Sequence, residues 1–144
     1  MKVNAKPLSE LSRLEQCLKV ASTPFKSAPQ QIISNDDNDE PSTFVLQTGV
    51  IEIYRRSDEL LIGIATAPFI LGLTAGMLDY SKEYRVVAKN PCTGFYLPAS
   101  TSLQLIQQSS LWKEAFCWLS WIKSILEKRD RQLVGNNSYH QIRA

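Results

Sequence analysis

Cysteine, histidine and long apolar runs are the scarce features of this 144-residue chain. Its three cysteines, Cys17, Cys92 and Cys117, are odd in number and far apart, a pattern that excludes a fully paired disulfide scaffold and suits a reducing compartment. Three thiols cannot supply the four thiolate ligands of an iron–sulfur centre, so that cofactor is excluded for a single chain. The lone histidine, His140, leaves no histidine-rich metal site and no nucleophile–histidine pair. A small barrel enzyme that holds its metal through histidines is excluded on the same ground. No metal, no cofactor and no enzymatic activity are therefore expected. No window approaches about 18 uninterrupted apolar residues, which argues against a membrane span. The opening stretch MKVNAKPLSELSRLEQ lacks the apolar core of a signal peptide, so a cytoplasmic location is expected. Charge is not concentrated in either sign: 16 Lys and Arg stand against 14 Asp and Glu, for a net +2. That is not the basic footprint of a nucleic-acid-binding domain.

What is present is a globular composition, 44% hydrophobic and 21% charged, in a chain long enough for one domain with a proper core. Leu8, Leu11, Leu14 and Leu18 recur at spacings of three and four, the period of an amphipathic helix, with Ser12 and Glu15 offering a capping box. Pro24 and Pro29 break that pattern. The acidic run SNDDNDEP at 34–41 has neither the glycine nor the distal glutamate of a calcium loop and reads as a solvated loop. From Ser42 to about Leu97 the pattern is that of strands: FVLQ, a turn at Thr48-Gly49, VIEIYRR, ELLIGIATA, YRVVA and TGFYLP, rich in β-branched and aromatic residues. Such closely spaced strands predict an antiparallel sandwich or barrel.

After Pro98 the chain turns helical. SLQLIQQ at 102–108 predicts a short helix, and a long one is expected from about Ser110 to Val134, ended by Gly135. Leu111, Ala115, Trp118, Ile122 and Ile125 form one apolar stripe on it; Trp112, Phe116 and Leu119 form a second beside it. A helix of about 25 residues would run roughly 37 Å, longer than a small barrel is wide. Self-association through the first stripe is therefore expected, against the alternative of a purely internal role.

Helix, β-barrel and long C-terminal helix is an order that resembles the sensor domain of the cyclic-AMP receptor protein and fumarate-nitrate regulator superfamily. STFVLQTGVIEIYRR is similar to that family's strand, glycine turn and strand. ELLIGIATAPFILGL is similar to the strand leading into its phosphate-binding cassette, and EYRVVAKNPCTGFYLPASTSLQLI to the strand out of the cassette, the next hairpin and the short helix. The resemblance covers about residues 30–144. It implies an α+β fold: an antiparallel jelly-roll barrel with an N-terminal helix over 1–109, a dimerisation helix over 110–135, and in 136–144 the start of a winged helix-turn-helix. The partners it implies are a second copy of the chain, and DNA through a C-terminal domain absent from this chain.

The cassette departs from the family. Members that bind cyclic nucleotides use a glutamate for the ribose and an arginine–hydroxyl pair for the phosphate. Here the first element reads Phe69-Ile70-Leu71-Gly72-Leu73, without a carboxylate, and the pair falls on Lys82-Glu83. An anion at Glu83 would face the phosphate in a partly desolvated pocket, so cyclic AMP in the usual pose is not expected. Leu71, Gly72, Leu73, Lys82, Glu83 and Arg85 are candidates for a remodelled pocket; the alternative for Lys82 and Glu83 is that they are turn residues facing water. The altered cassette and the tryptophan-rich helix look most like a degenerate regulator of oxidative-stress response. Cys92, in a turn after Lys89, is the candidate redox thiol, to be weighed against three inert cysteines.

Overall fold

The spacing of Leu11, Leu14 and Leu18 places all three on one face of α1 (Leu8–Lys19), where they are buried. A computed structural model describes residues 5–33, 41–73 and 84–125 of the chain. The helix starts directly after Pro7, with no side-chain cap, so Ser12 and Glu15 lie inside it rather than forming the expected capping box. Proline at this point costs no intrahelical bond, because the first N–H groups of a helix have no internal acceptor.

Seven strands come next among the described residues: β1 (Thr23–Ser27), β2 (Ser42–Thr48), β3 (Val50–Arg55), β4 (Leu60–Thr66), β5 (Phe69–Leu71), β6 (Tyr84–Ala88) and β7 (Cys92–Pro98). They pair as two antiparallel sheets, in the order β1-β7-β2-β5 and β4-β3-β6. β2 and β3 are nearly continuous in sequence yet belong to different sheets, because the chain turns the corner at Gly49 with φ +108°. No ladder joins the sheets among the described residues, so the jelly roll is an open sandwich rather than a closed barrel. Val45, Ile70, Phe95 and Leu97 of the first sheet meet Ile51, Ile53 and Val86 of the second in one core.

β1 runs through Pro24, a residue expected to break the chain. Proline lacks a ladder donor, and it is tolerated here because β1 is an edge strand that pairs only with β7. Phe25 then packs edge-on against Phe44 of β2, ring centroids 5.7 Å apart. The short helix α2 (Ala99–Gln108) begins three residues earlier than its apolar pattern suggested. A third helix, α3, starts at residue 112 and is described as far as residue 125; its expected continuation to Val134 and the terminal segment 136–144 lie outside the described residues.

β7 crosses β2 so closely at Gly94 that a Cβ there would overlap the carbonyl oxygen of Val45. Gly94→Ala must push two central strands apart, at a cost of about 3 kcal/mol. A melting temperature lowered by roughly 10 °C in thermal denaturation is expected; an unchanged one would contradict this packing.

Candidate functional site

The pairing of β3 with β4 sets Ile51 opposite Ala65 and Ile53 opposite Gly63. Side chains directly opposite share a face, so Ala65 and Gly63 look inward beside two core isoleucines. Two small residues at inward positions leave unfilled space. The result is a cleft of about 340 Å³ with Gly63 and Ala65 on one side, Phe69 beside them, and Trp121, Ile122 and Ile125 of α3 on the other. Among the described residues, Lys6 is the only charged one that lines it. Its Nζ donates to the carbonyl oxygen of Thr66 at 2.7 Å and lies 5.6 Å from the centroid of the Phe69 ring. Burial pushes the Lys6 amine below its ordinary pKa.

An aromatic cluster holds α3 against this cleft. Trp118 is completely buried and donates its indole N–H to the carbonyl of Ile70 at 3.0 Å. Its ring meets Phe69 edge-on at 5.0 Å and stacks on Trp121 at 5.3 Å. An ion pair between Arg13 and Glu114, 3.4 Å apart, also ties α3 to α1. Because Arg13 is largely exposed, that pair contributes little.

None of the described pocket residues expected from the cassette lines this cleft. Leu71 and Leu73 pack with the core at the end of β5. Gly72 sits between them with φ +76°, its carbonyl oxygen accepting a bond from Thr43 Oγ1 at 3.2 Å. Arg85 pairs in register with Tyr54, on the outer face of its sheet, since Ile53 and Val86 fill the inner one. Its guanidinium lies 5.3 Å from the Tyr54 ring centroid and 2.6 Å from a Glu59 carboxylate oxygen. Arg85 is thus a partly buried ion-pair residue on the outer sheet face, with its Nε shielded from water: neighbouring residues of a strand point to opposite faces. Lys82 and Glu83 lie outside the described residues.

Two further expectations fall on buried positions of this chain. Cys92 is buried, its Sγ 3.2 Å from the carbonyl oxygen of Asn90 and 3.4 Å from that of Val50, and burial pushes its thiol pKa up. A redox-sensing thiol requires solvent access and a lowered pKa, and Cys92 has neither. Ala115 and Trp118, expected to meet a partner chain, are buried in this chain's own core, and Leu111, Ile122 and Ile125 are half-buried. The exposed ridge of α3 is formed by two residues of the second stripe, Phe116 at 72% and Trp112 at 47% exposure, while Leu119 packs against the core.

Sequence alone does not mark Lys6, Gly63 or Trp121 as site residues. The alternation Gly63-Ile64-Ala65-Thr66-Ala67, small at every second position of a strand, is a readable sign of space on one face. Lys6 gives no sign, because its partner Thr66 is 60 residues away. Among the described residues there is no cluster of His, Cys, Asp and Glu suited to a metal ion, and no helix long and apolar enough to cross a membrane.

No protein-family model matches the chain. It is 45% identical over 141 residues to the inhibitor of hydrogen peroxide resistance of Salmonella typhimurium, covering 97% of this chain and 68% of that protein. Among solved structures it resembles the CO-dependent transcription factor CooA from Carboxydothermus hydrogenoformans, with a TM-score of 0.69 at 12% identity over 97% of this chain and 61% of that one. It also resembles the c-di-GMP-responsive global regulator CLP of Xanthomonas campestris, with a TM-score of 0.62 at 16% identity over 88% and 63%. At such identities the likeness shows the fold alone, a jelly roll of the cyclic-nucleotide-binding-like kind.

Proposed function

The chain belongs to the family of the inhibitor of hydrogen peroxide resistance, and from that premise we propose that it is the sensor and dimerisation half of a DNA-binding transcription regulator of the peroxide response. One observation carries this reading: α3 walls the cleft with Trp121, Ile122 and Ile125 while its opposite side carries the exposed Trp112 and Phe116. A helix with both faces engaged transmits what occupies the cleft to whatever packs on its outer ridge. The ridge partner is a second copy of the chain, meeting Trp112 and Phe116 in a self-complementary contact. DNA is then the partner of a domain outside these 144 residues, positioned by α3. The protein is a binding module without catalysis, and it works in the cytoplasm.

The occupant of the cleft is not cyclic AMP in the family's usual pose. Arg85 pairs with Glu59 on the outer sheet face, and among the described residues no carboxylate lines the cleft to hold a ribose.

Two outcomes are expected. Phe116→Glu and Trp112→Glu place a charge on the ridge and should give folded monomer in sedimentation at micromolar concentration; unchanged dimer for both, or monomeric wild type, would refute the ridge as the dimer contact. Millimolar cyclic AMP should move the melting temperature by less than about 1 °C, since a ligand of the native state alone must raise it. A clear rise would overturn the reading of the altered cassette.

A further inference from the structure

We propose that the cleft between β4 and α3 takes a small apolar carboxylate, its body against Phe69, Trp121, Ile122 and Ile125 and its head group on Lys6. The inference rests on the cleft being the ligand site and adds the chemistry of what fills it.

Apart from Lys6, no charged side chain lines the cleft among the described residues, and most of the lining is aliphatic or aromatic. A ligand with many hydroxyls would leave them unpaired there, and each unpaired group weakens binding. An apolar body meets no such penalty. The volume lies at the lower end of the range for small-molecule cavities, which favours a compact ligand over a macrocycle or a dinucleotide.

Lys6 supplies the selectivity for charge. An ammonium has three donors, and the contact to the Thr66 carbonyl uses one. Among the described residues no carboxylate lies within ion-pair distance of Nζ, whereas Arg13, Arg55 and Arg85 each have one. The Phe69 ring beneath it and the Thr66 carbonyl hold the amine in place without neutralising it. Its pKa is lowered by burial, as befits a cation partly out of water. A carboxylate completes the site; a neutral head group gains less, and a second cation is repelled. Lysine also fits a single carboxylate as a point charge, with no planar fork that would call for a particular orientation.

The test uses decanoate, decanol and decylamine, one alkyl chain with three head groups, titrated below their micellar concentrations and followed by calorimetry and tryptophan fluorescence. Decanoate should bind saturably and on the order of tenfold more tightly than decanol, with decylamine the weakest. Lys6→Gln should bring decanoate down to the affinity of decanol and leave decanol unchanged. Gly63→Val fills the cleft from the sheet, and Ile125→Trp fills it from the helix should the first variant fold poorly; either should abolish binding of all three. Equal affinity for decanoate and decanol, blocked by the filling variants, would overturn the carboxylate inference while leaving the cleft as a ligand site. A preference for decanoate that survives Lys6→Gln would overturn the role of Lys6. No saturable binding of any of the three would overturn both the inference and the reading of the cleft.

Discussion

The indole N–H of Trp118 reaches the carbonyl of Ile70, 48 residues away, inside a core from which water is excluded. A buried tryptophan must place its single donor, and leaving it unmet would cost about 1–3 kcal/mol. With that donor fixed, the rotation of α3 about its axis is fixed as well. Residues three and four apart share a side of a helix, so Ala115 and Ile122 turn inward with Trp118 while Trp112 and Phe116 turn out. The wall of the cleft and the exposed ridge are thus two consequences of one hydrogen bond, reinforced by the rings of Phe69 and Trp121.

Much of the fold is legible in the sequence because its signals are local. The leucine spacing of α1 and the β-branched runs of β2, β3, β4, β6 and β7 identify those elements without reference to the rest of the chain. β1 is hidden because proline is judged by its local effect, whereas its acceptability depends on lying at the edge of a sheet. The two apolar stripes of α3 are both visible, but which of them faces inward is decided by the Ile70 carbonyl and by the room above Gly63 and Ala65, both distant in sequence. The side of the sheet that Arg85 takes is hidden for a similar reason. Order and spacing locate the strand that carries Arg85, while one residue of register decides that its guanidinium meets Glu59 and Tyr54 on the outer face of the sheet rather than the inner one.

The family's link with peroxide places a constraint on any chemical account of sensing. Cys92 has a buried thiol with its pKa raised, which disfavours the thiolate that peroxide attacks. Cys17 lies half-buried between α1 and α2, its Sγ 3.5 Å from the Leu105 carbonyl and from Ser109 Oγ. Under the proposed function the cleft takes the sensing part instead, since there a lysine with no carboxylate at ion-pair distance among the described residues borders an apolar surface shared by the sheet and the helix.

Cleft wall and outer ridge both depend on α3 being pinned in one rotation by Trp118. Hydrogen exchange of the three tryptophan indole N–H groups, followed by NMR after transfer to heavy water, reads that directly. The Trp118 indole proton is predicted to persist long after that of Trp112, which is half-exposed, has exchanged. Equal and rapid exchange at Trp118 and Trp112 would show that the bond to Ile70 does not hold the helix, and would contradict the placement of both the cleft wall and the outer ridge.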